Sequence, residues 1–320
     1  MSVIEKKVLK VIFGETLVRL ADAGRKVALV DADLRRCSGG EAFAQKYPSL
    51  AFNVGIAEQN AIGMAGGLAS MGYRVFASTF AVFASMRACD QVRNIVGYNN
   101  LNVTICGTYA GLTTEENGAT HISSEDMAIM RSIPGLLVLE PTDGREFEQM
   151  LAYSVDHEGP IYLRIPKALP DLLPADYQFK PGKGYFLRKG KDVTIIASGI
   201  TAAYAIEAAQ TLSGKGIDAA VACLPTLKPI DRELVMEAAK TGRVVTVENH
   251  SIIGGLGGAV AEVMAEEGVG AKLTRLANPI VRWSCHPVGW WNNEIHIPSR
   301  LCRQHSSSCI RQTISNQREW

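Results

Sequence analysis

Glu58 lies at the centre of FNVGIAEQNAIGMAGGL (residues 52–68), where it could share a proton with a ligand nitrogen. The residues before it read as a strand, Leu50 to Val54, turning through Gly55 into a helix that begins near Ala57. Such turns at the carboxyl edge of a parallel sheet are where open α/β folds bind ligands. The helix is crowded with Ala61, Gly63, Ala65, Gly66, Gly67 and Ala69. Small residues let it approach a neighbouring backbone closely and imply burial against a large element. A plainer account stays open, because an acid in a first helical turn gains ~0.3–1 kcal/mol from the helix dipole with no further role.

Three other places carry chemistry. Phe80 and Phe83, in STFAVFA (78–84), end a predicted strand and offer flat apolar walls to a ring, or core packing. His121 closes the polar loop AGLTTEENGATH (110–121). Histidine changes charge near neutral pH and suits proton transfer to a ligand carbonyl or hydroxyl, although it also suits capping of the helix that follows. Arg164, on YLRIP, is a cation near a strand's carboxyl end and is costly to bury unpaired. Its planar fork fits either an oxyanion or a neighbouring acid.

Alternating strands and helices must position these groups. Residues 5–22 suit a helix closed by Gly24. There follow strands Val27–Val30 and Leu50–Val54, helix 57–71, strand Arg74–Ser78, helix Val82–Val96 and strand Asn102–Cys106. A helix after Ser123 could be opened by a Ser123/Asp126 capping box. Then come strand Leu136–Leu139, a helix opened by Thr142, and strand Ile161–Ile165. Runs such as VALV and LLVLE are apolar without alternation, the mark of a parallel sheet covered on both faces. Residues 166–190, with four prolines and three glycines, read as a linker. A second βα series runs from VTIIAS (193–198) to KLTRL (272–276). The fold class predicted is α/β, with two doubly wound domains.

Composition narrows the function classes. Lys plus Arg (33) nearly balance Asp plus Glu (32), which leaves no basic field for nucleic acid or an anionic membrane. No run approaches the ~18 apolar residues that span a bilayer, and the amino terminus lacks a signal-peptide core. Seven cysteines without a C-x-x-C pair argue against a disulfide scaffold and suit a reducing cytoplasm.

The segments VDADL (30–34), FNVGIAEQN (52–60), STFAVFA, DQVRN (90–94), AGLTTEENGATH, SIPGLLVLEPTDG (132–144) and IYLRIPK (161–167) resemble the pyrimidine-binding domain of transketolases in content, order and spacing. Residues 191 to about 276 resemble the same family's carboxyl-terminal domain. The resemblance implies thiamine diphosphate as cofactor, with Glu58 the acid that bonds the pyrimidine ring nitrogen and favours its imino tautomer. This role needs a carboxyl in an apolar pocket. It also implies that Phe80 stacks on the ring, that Phe83 and Ile56 help line its pocket, and that His121 acts on the sugar. Asn117 stands where transketolases often carry an Asp that contacts a donor hydroxyl, and Tyr109 stands about where full-length members have a further histidine. Arg164 is expected on the phosphate of a sugar phosphate. Ser38 is expected there too, in the loop DLRRCSGG (33–40), which departs from the family in Cys37, Arg35 and Arg36. DQVRN resembles a subunit-interface segment and implies self-association.

The family's metal-binding G-D-G motif is missing from the sequence. The chain therefore reads as the carboxyl-terminal half of a split transketolase. An amino-terminal-half partner subunit would carry the diphosphate site and Mg2+, and no metal site is expected here. The expected activity is transfer of a two-carbon ketol unit between sugar phosphates. A deoxyxylulose-phosphate synthase, a 2-oxo acid dehydrogenase beta subunit and a non-catalytic partner subunit stay open as alternatives. The expected division is a pyrimidine-binding domain over 1–167, a linker over 168–190, a carboxyl-terminal domain over 191–276 and an atypical tail over 277–320. That tail holds all four tryptophans, three of the seven cysteines and three of the six histidines, and no Asp follows Asp231. We read it as the product of an altered reading frame, against the alternative of a natural divergent tail.

Overall fold

The computed structural model describes residues 6–112 and 118–278. The first domain begins with β1 (Lys6–Val8), α1 (Leu9–Asp22), β2 (Val27–Asp31), α2 (Arg35–Ser38), α3 (Glu41–Lys46), β3 (Ala51–Asn53), α4 (Glu58–Ser70) and β4 (Arg74–Phe80). A mostly π-helical stretch over residues 83–97, containing the short α5 (Cys89–Gln91), leads to β5 (Val103–Thr108). The domain continues through α6 (Asp126–Ser132), β6 (Leu137–Leu139), α7 (Gly144–Asp156), β7 (Ile161–Ile165) and β8 (Ala168–Pro170). The second domain contains β9 (Tyr185–Arg188), β10 (Val193–Ala197), α8 (Thr201–Ser213), β11 (Ala219–Cys223), β12 (Thr226–Lys228), α9 (Arg232–Ala239), β13 (Arg243–Ser251), α10 (Leu256–Glu266) and β14 (Lys272–Asn278).

The main sheet has the order β12-β6-β7-β5-β4-β2-β3, parallel except for β12. The second sheet has the order β14-β13-β10-β11-β9, parallel except for β9. Two mixed sheets covered by helices agree with the α/β class expected. The central strands β2, β4, β5 and β7 are buried along their whole length, which is why their sequences lack alternation.

The exceptions are instructive. The antiparallel β12, supplied by the second half of the chain, closes the edge of the first domain's sheet against β6. Residues 168–190 hold strands as well as turns, since β8 pairs with β1 and β9 closes the second sheet. One continuous apolar cluster runs from Val30, Ile105 and Val138 through Tyr162 to Leu224, Leu256 and Val260. It joins the two domains through shared packing. A second cluster under α1 and α7 includes Phe13 edge-on to Phe76 (6.2 Å, 79°), an arrangement worth about 0.5–1.5 kcal/mol beyond its area.

Local chemistry corrects two helix starts. Asp126 does not serve a capping box with Ser123, because its carboxylate is taken by Arg164 and Tyr162 and α6 has no side-chain cap. Helix α7 starts after Asp143, whose side chain accepts the Arg145 N–H. The small residues of α4 are only partly used: a Cβ on Gly66 would lie 2.5 Å from Ile95 Cγ2, whereas one on Gly67 would meet nothing.

Candidate active site

The carboxyl ends of β4 and β5 bring together most of the residues singled out in the sequence. The Gly55 turn, at φ +74°, delivers the chain from β3 into α4, so that Glu58 opens the helix with its side chain buried. Phe80 ends β4 and is nearly buried. Phe83 follows in a π-helical turn, where the Ala88 N–H reaches back five residues to the Phe83 carbonyl (3.1 Å). Such turns re-aim side chains and recur at functional sites. This one lays Phe83 against Phe80 (5.9 Å, 21°) and places the Arg87 guanidinium 4.2 Å from the Phe83 ring centre.

His121 completes the group. Its ring stands edge-on to Phe80 (6.0 Å) and Phe83 (5.4 Å), and its Nδ1 lies 3.0 Å from Thr120 Oγ1. Tyr109 also packs on Phe80, with its ring tilted by 46° at 4.9 Å. It holds φ at +54°, an uncommon conformation for a non-glycine residue that clusters at functional sites.

Glu58 has two unlike oxygens. Oε1 accepts from Arg87 Nη1 at 2.8 Å, and Oε2 is buried without a hydrogen-bond partner. A buried carboxylate oxygen left unsatisfied is costly, and here it leaves an acceptor open to a donor from outside the chain. Arg87, which holds the other oxygen, also lies on Phe83, and Phe83 stacks on Phe80. One guanidinium thus links the acid to two flat apolar rings, a combination that suits a flat, partly apolar ligand ring carrying a nitrogen. The residues present therefore fit an aminopyrimidine. Arg87 gave no signal in the sequence, because an arginine in a helical stretch has no spacing that marks its partner.

The other expected residues are placed differently. Ile56 sits in the turn before Glu58 and is largely exposed. Ser38 lines a small cavity beside the cluster with Lys10, Thr108, Tyr109, Pro166 and Lys167, and its hydroxyl is bonded to the Arg35 carbonyl (3.3 Å). Asn117 lies outside the described residues, as does the tail beyond residue 278. Among the described residues no three His, Cys, Asp or Glu side chains converge as metal ligands.

Arg164 requires a correction. It is 1% exposed and its fork is consumed inside the protein. Nε and Nη2 grip Asp126 (2.7 and 3.2 Å), Nη1 donates to Glu140, and Nη2 also meets the carbonyls of Asn249 (2.9 Å) and Ser123 (3.4 Å). Burial works against its charge, but Asp126 and Glu140 outweigh that cost and hold its pKa above the ordinary value. Burial likewise pushes Asp126 up, and Arg164 with His250 brings it below the usual carboxylate range. The salt-bridge reading of Arg164 is the one this geometry supports; no part of the fork is offered to a phosphate. His250, fully buried beside Asp126, is lowered chiefly by burial.

Comparison with known proteins supplies the family. Residues 6–171 match the transketolase pyrimidine-binding domain and residues 182–285 match the transketolase C-terminal domain. The chain belongs to the transketolase family. This is a family of thiamine-diphosphate-dependent enzymes, and the chain carries its pyrimidine-binding half. The chain is 44% identical over 267 residues to a putative transketolase C-terminal section of Methanocaldococcus jannaschii, covering 82% of this chain and 84% of that protein. It is 43% identical over 265 residues to a 6-deoxy-6-sulfo-D-fructose transketolase subunit of a Clostridium species, covering 82% of each. A solved structure described as a split gene transketolase, inactive beta4 tetramer, superposes with a TM-score of 0.83 at 38% identity over 98% of both chains. A 1-deoxy-D-xylulose-5-phosphate synthase of Geobacter sulfurreducens is 39% identical over 84% of this chain but only 42% of its own length. No described helix of this family member is long and apolar enough to cross a membrane.

Proposed function

We propose that this chain is one subunit of a two-chain transketolase that moves a two-carbon ketol unit between sugar phosphates. The observation that carries the reading is Glu58, buried with one oxygen held by Arg87 and the other unpartnered, while the same Arg87 lies on Phe83, which stacks on Phe80. When bound, thiamine diphosphate supplies the reactive carbon at which the carbon–carbon bond of a ketose is cut and remade.

The residues of this chain do the positioning. Glu58 Oε2 holds or accepts a proton at the ring nitrogen. Phe80 and Phe83 fix the plane of the ring and keep water from it, and Ile56 covers its open side. His121 stands at the same wall, placed to hand a proton to or from a sugar oxygen. Asn117 would bond a donor hydroxyl, although an amide cannot serve as a base. Ser38, with Lys10 and Lys167 around the adjoining cavity, offers the polar, cationic lining a phosphate needs.

The diphosphate and Mg2+ would be held by a partner subunit that carries the amino-terminal half. This is supported by relatives that are themselves separate sections or subunits and by the solved structure described as a split gene transketolase, inactive beta4 tetramer. The test is to mix this chain with such a partner, thiamine diphosphate and Mg2+, and to follow transfer from xylulose 5-phosphate to ribose 5-phosphate. Transfer that requires both chains supports the reading; none with folded, associated chains rejects it. The similarity to the synthase of Geobacter sulfurreducens favours one second reading, decarboxylative condensation of pyruvate with glyceraldehyde 3-phosphate to a five-carbon product and CO2, which the same two chains and cofactors would reveal when given those two substrates.

A further inference from the structure

The loop that carries His121 is held from outside its own domain. It leaves β5 through Gly111 and Leu112 and returns through Ser123 and Ser124, with Gly111 and Ser123 bridged in antiparallel fashion at its base. Both feet are bonded to the end of β13 in the second domain. The Asn249 side-chain oxygen accepts the Leu112 N–H at 3.1 Å, and the Ser251 N–H donates to the Ser124 carbonyl at 2.7 Å.

The contact at Asn249 is tight and specific. Gly111 sits at φ +69°, and a Cβ there would fall 2.2 Å from Asn249 Nδ2 and 2.5 Å from Cγ. Asn249 thus fills the space beside a residue that can only be glycine. The asparagine is itself fixed, because it is 6% exposed and its carbonyl accepts from Arg164 Nη2. Arg164 also reaches the Ser123 carbonyl (3.4 Å), so the buried fork ties β13 and the returning foot of the loop into one unit.

We propose that Asn249 is a positioning residue for His121, through which the C-terminal domain sets the geometry of the sugar-facing histidine. The inference rests on the transketolase reading for its catalytic consequence, but the clamp itself is independent of it. His121 keeps its place against Phe80 and Phe83 only if the two feet of its loop stay fixed. Side chains in loops keep their geometry when neighbouring elements lock them.

Asn249→Ala tests this in the full-length chain, free and with its partner. Amide exchange at Leu112 should rise at least about tenfold, as expected when an opening no longer breaks a buried hydrogen bond. The His121 ring signals, displaced by the two phenylalanine rings, should move toward those of free imidazole. In the two-chain mixture, ketol transfer should fall by about tenfold or more, toward the about 10²-fold that a 1 Å displacement of a catalytic group can cost, while thiamine diphosphate affinity holds. The same substitution in a His121→Ala background should cost nothing further. Gly111→Ala approaches the contact from the loop side and should release the loop likewise, which covers the case in which Asn249→Ala fails to fold. Unchanged Leu112 exchange and His121 signals would overturn the proposal, and so would an equal loss of transfer with and without His121. If the wild-type mixture transfers nothing, the functional reading fails while exchange and ring signals still decide the clamp.

Discussion

Arg87 and Glu58 divide one carboxylate into two roles. The Arg87 guanidinium, half exposed and stacked over Phe83, donates to Oε1 at 2.8 Å, and Oε2 is buried with no partner. The cation supplies enough charge to keep an acid inside the protein without using up its hydrogen-bonding capacity. An acid satisfied on both oxygens would be stable and inert; one satisfied on neither would be expelled or neutralised.

Glu58→Gln should therefore leave the fold intact and remove function. The amide keeps the shape and can still accept from Arg87, but it cannot exchange a proton at a ring nitrogen. We expect loss of thiamine-dependent transfer by about 10²-fold or more, the scale of removing an acid–base group, with the melting temperature within a few degrees of wild type. Full activity in this variant would refute the assignment of Glu58.

Arg87→Ala strips the same carboxylate of its cation. The loss of a hydrogen bond to a charged group costs about 1.5–3 kcal/mol when buried, and the half-exposed arginine places this pair near or below the low end. Urea denaturation should show a cost of about 1 kcal/mol. In a Glu58→Gln background the cost should shrink, since no buried negative charge is then left behind. An equal cost in both backgrounds would mean that Arg87 acts through Phe83 packing instead.

Arg164→Met should behave as a core lesion. It abandons Asp126 and Glu140 in the interior, and breaking a buried ion pair from one side costs about 3–5 kcal/mol. The expected result is a large drop in the urea midpoint with or without substrates. A variant of native stability with only a raised sugar-phosphate KM would restore the phosphate-gripping role that the geometry denies it.

What could be read from the sequence follows a physical rule. Phe80 ends β4, Glu58 opens α4 just after the Gly55 turn, and His121 closes the polar loop that follows β5, positions that an apolar run, a turn glycine and a polar stretch announce. The strands themselves were legible because β2, β4, β5 and β7 are buried on both faces. Arg164 was ambiguous because its two acids come from Asp126 and Glu140, on other elements, and no spacing links them. The π-helical turn at Phe83 reads as ordinary helix by periodicity, so the approach of Arg87 to Glu58 stayed hidden. The pairing of β12 with β6 was also beyond reach, since three residues of the second half of the chain close a sheet built by the first.

Stability should also depend on pH through a carboxyl far from the reactive cluster. Glu146, on α7, is fully buried and accepts from the Thr142 N–H and hydroxyl (2.8 Å each) and from the Tyr177 hydroxyl. Burial, only partly offset by those bonds, pushes its pKa up to about 7 from 4.5. The folded protein thus holds a proton at Glu146 that the unfolded chain has released between about pH 4.5 and 7. Bound protons that favour the folded state make stability fall as pH rises through that window. The contribution of Glu146 is whole below pH 4.5 and is lost by the time pH has passed 7. Glu248, raised by burial to about 7, slopes the same way, and His250, lowered by burial, slopes the other. Comparing wild type with Glu146→Gln cancels both. The neutral amide keeps its form at every pH, so wild type should lose ground to it by on the order of 1–3 kcal/mol between pH 5 and 8. Urea midpoints across that range measure the difference directly. A gap that stays constant with pH would show that Glu146 is ionised in the folded state throughout, and that Tyr177 and Thr142 satisfy its charge.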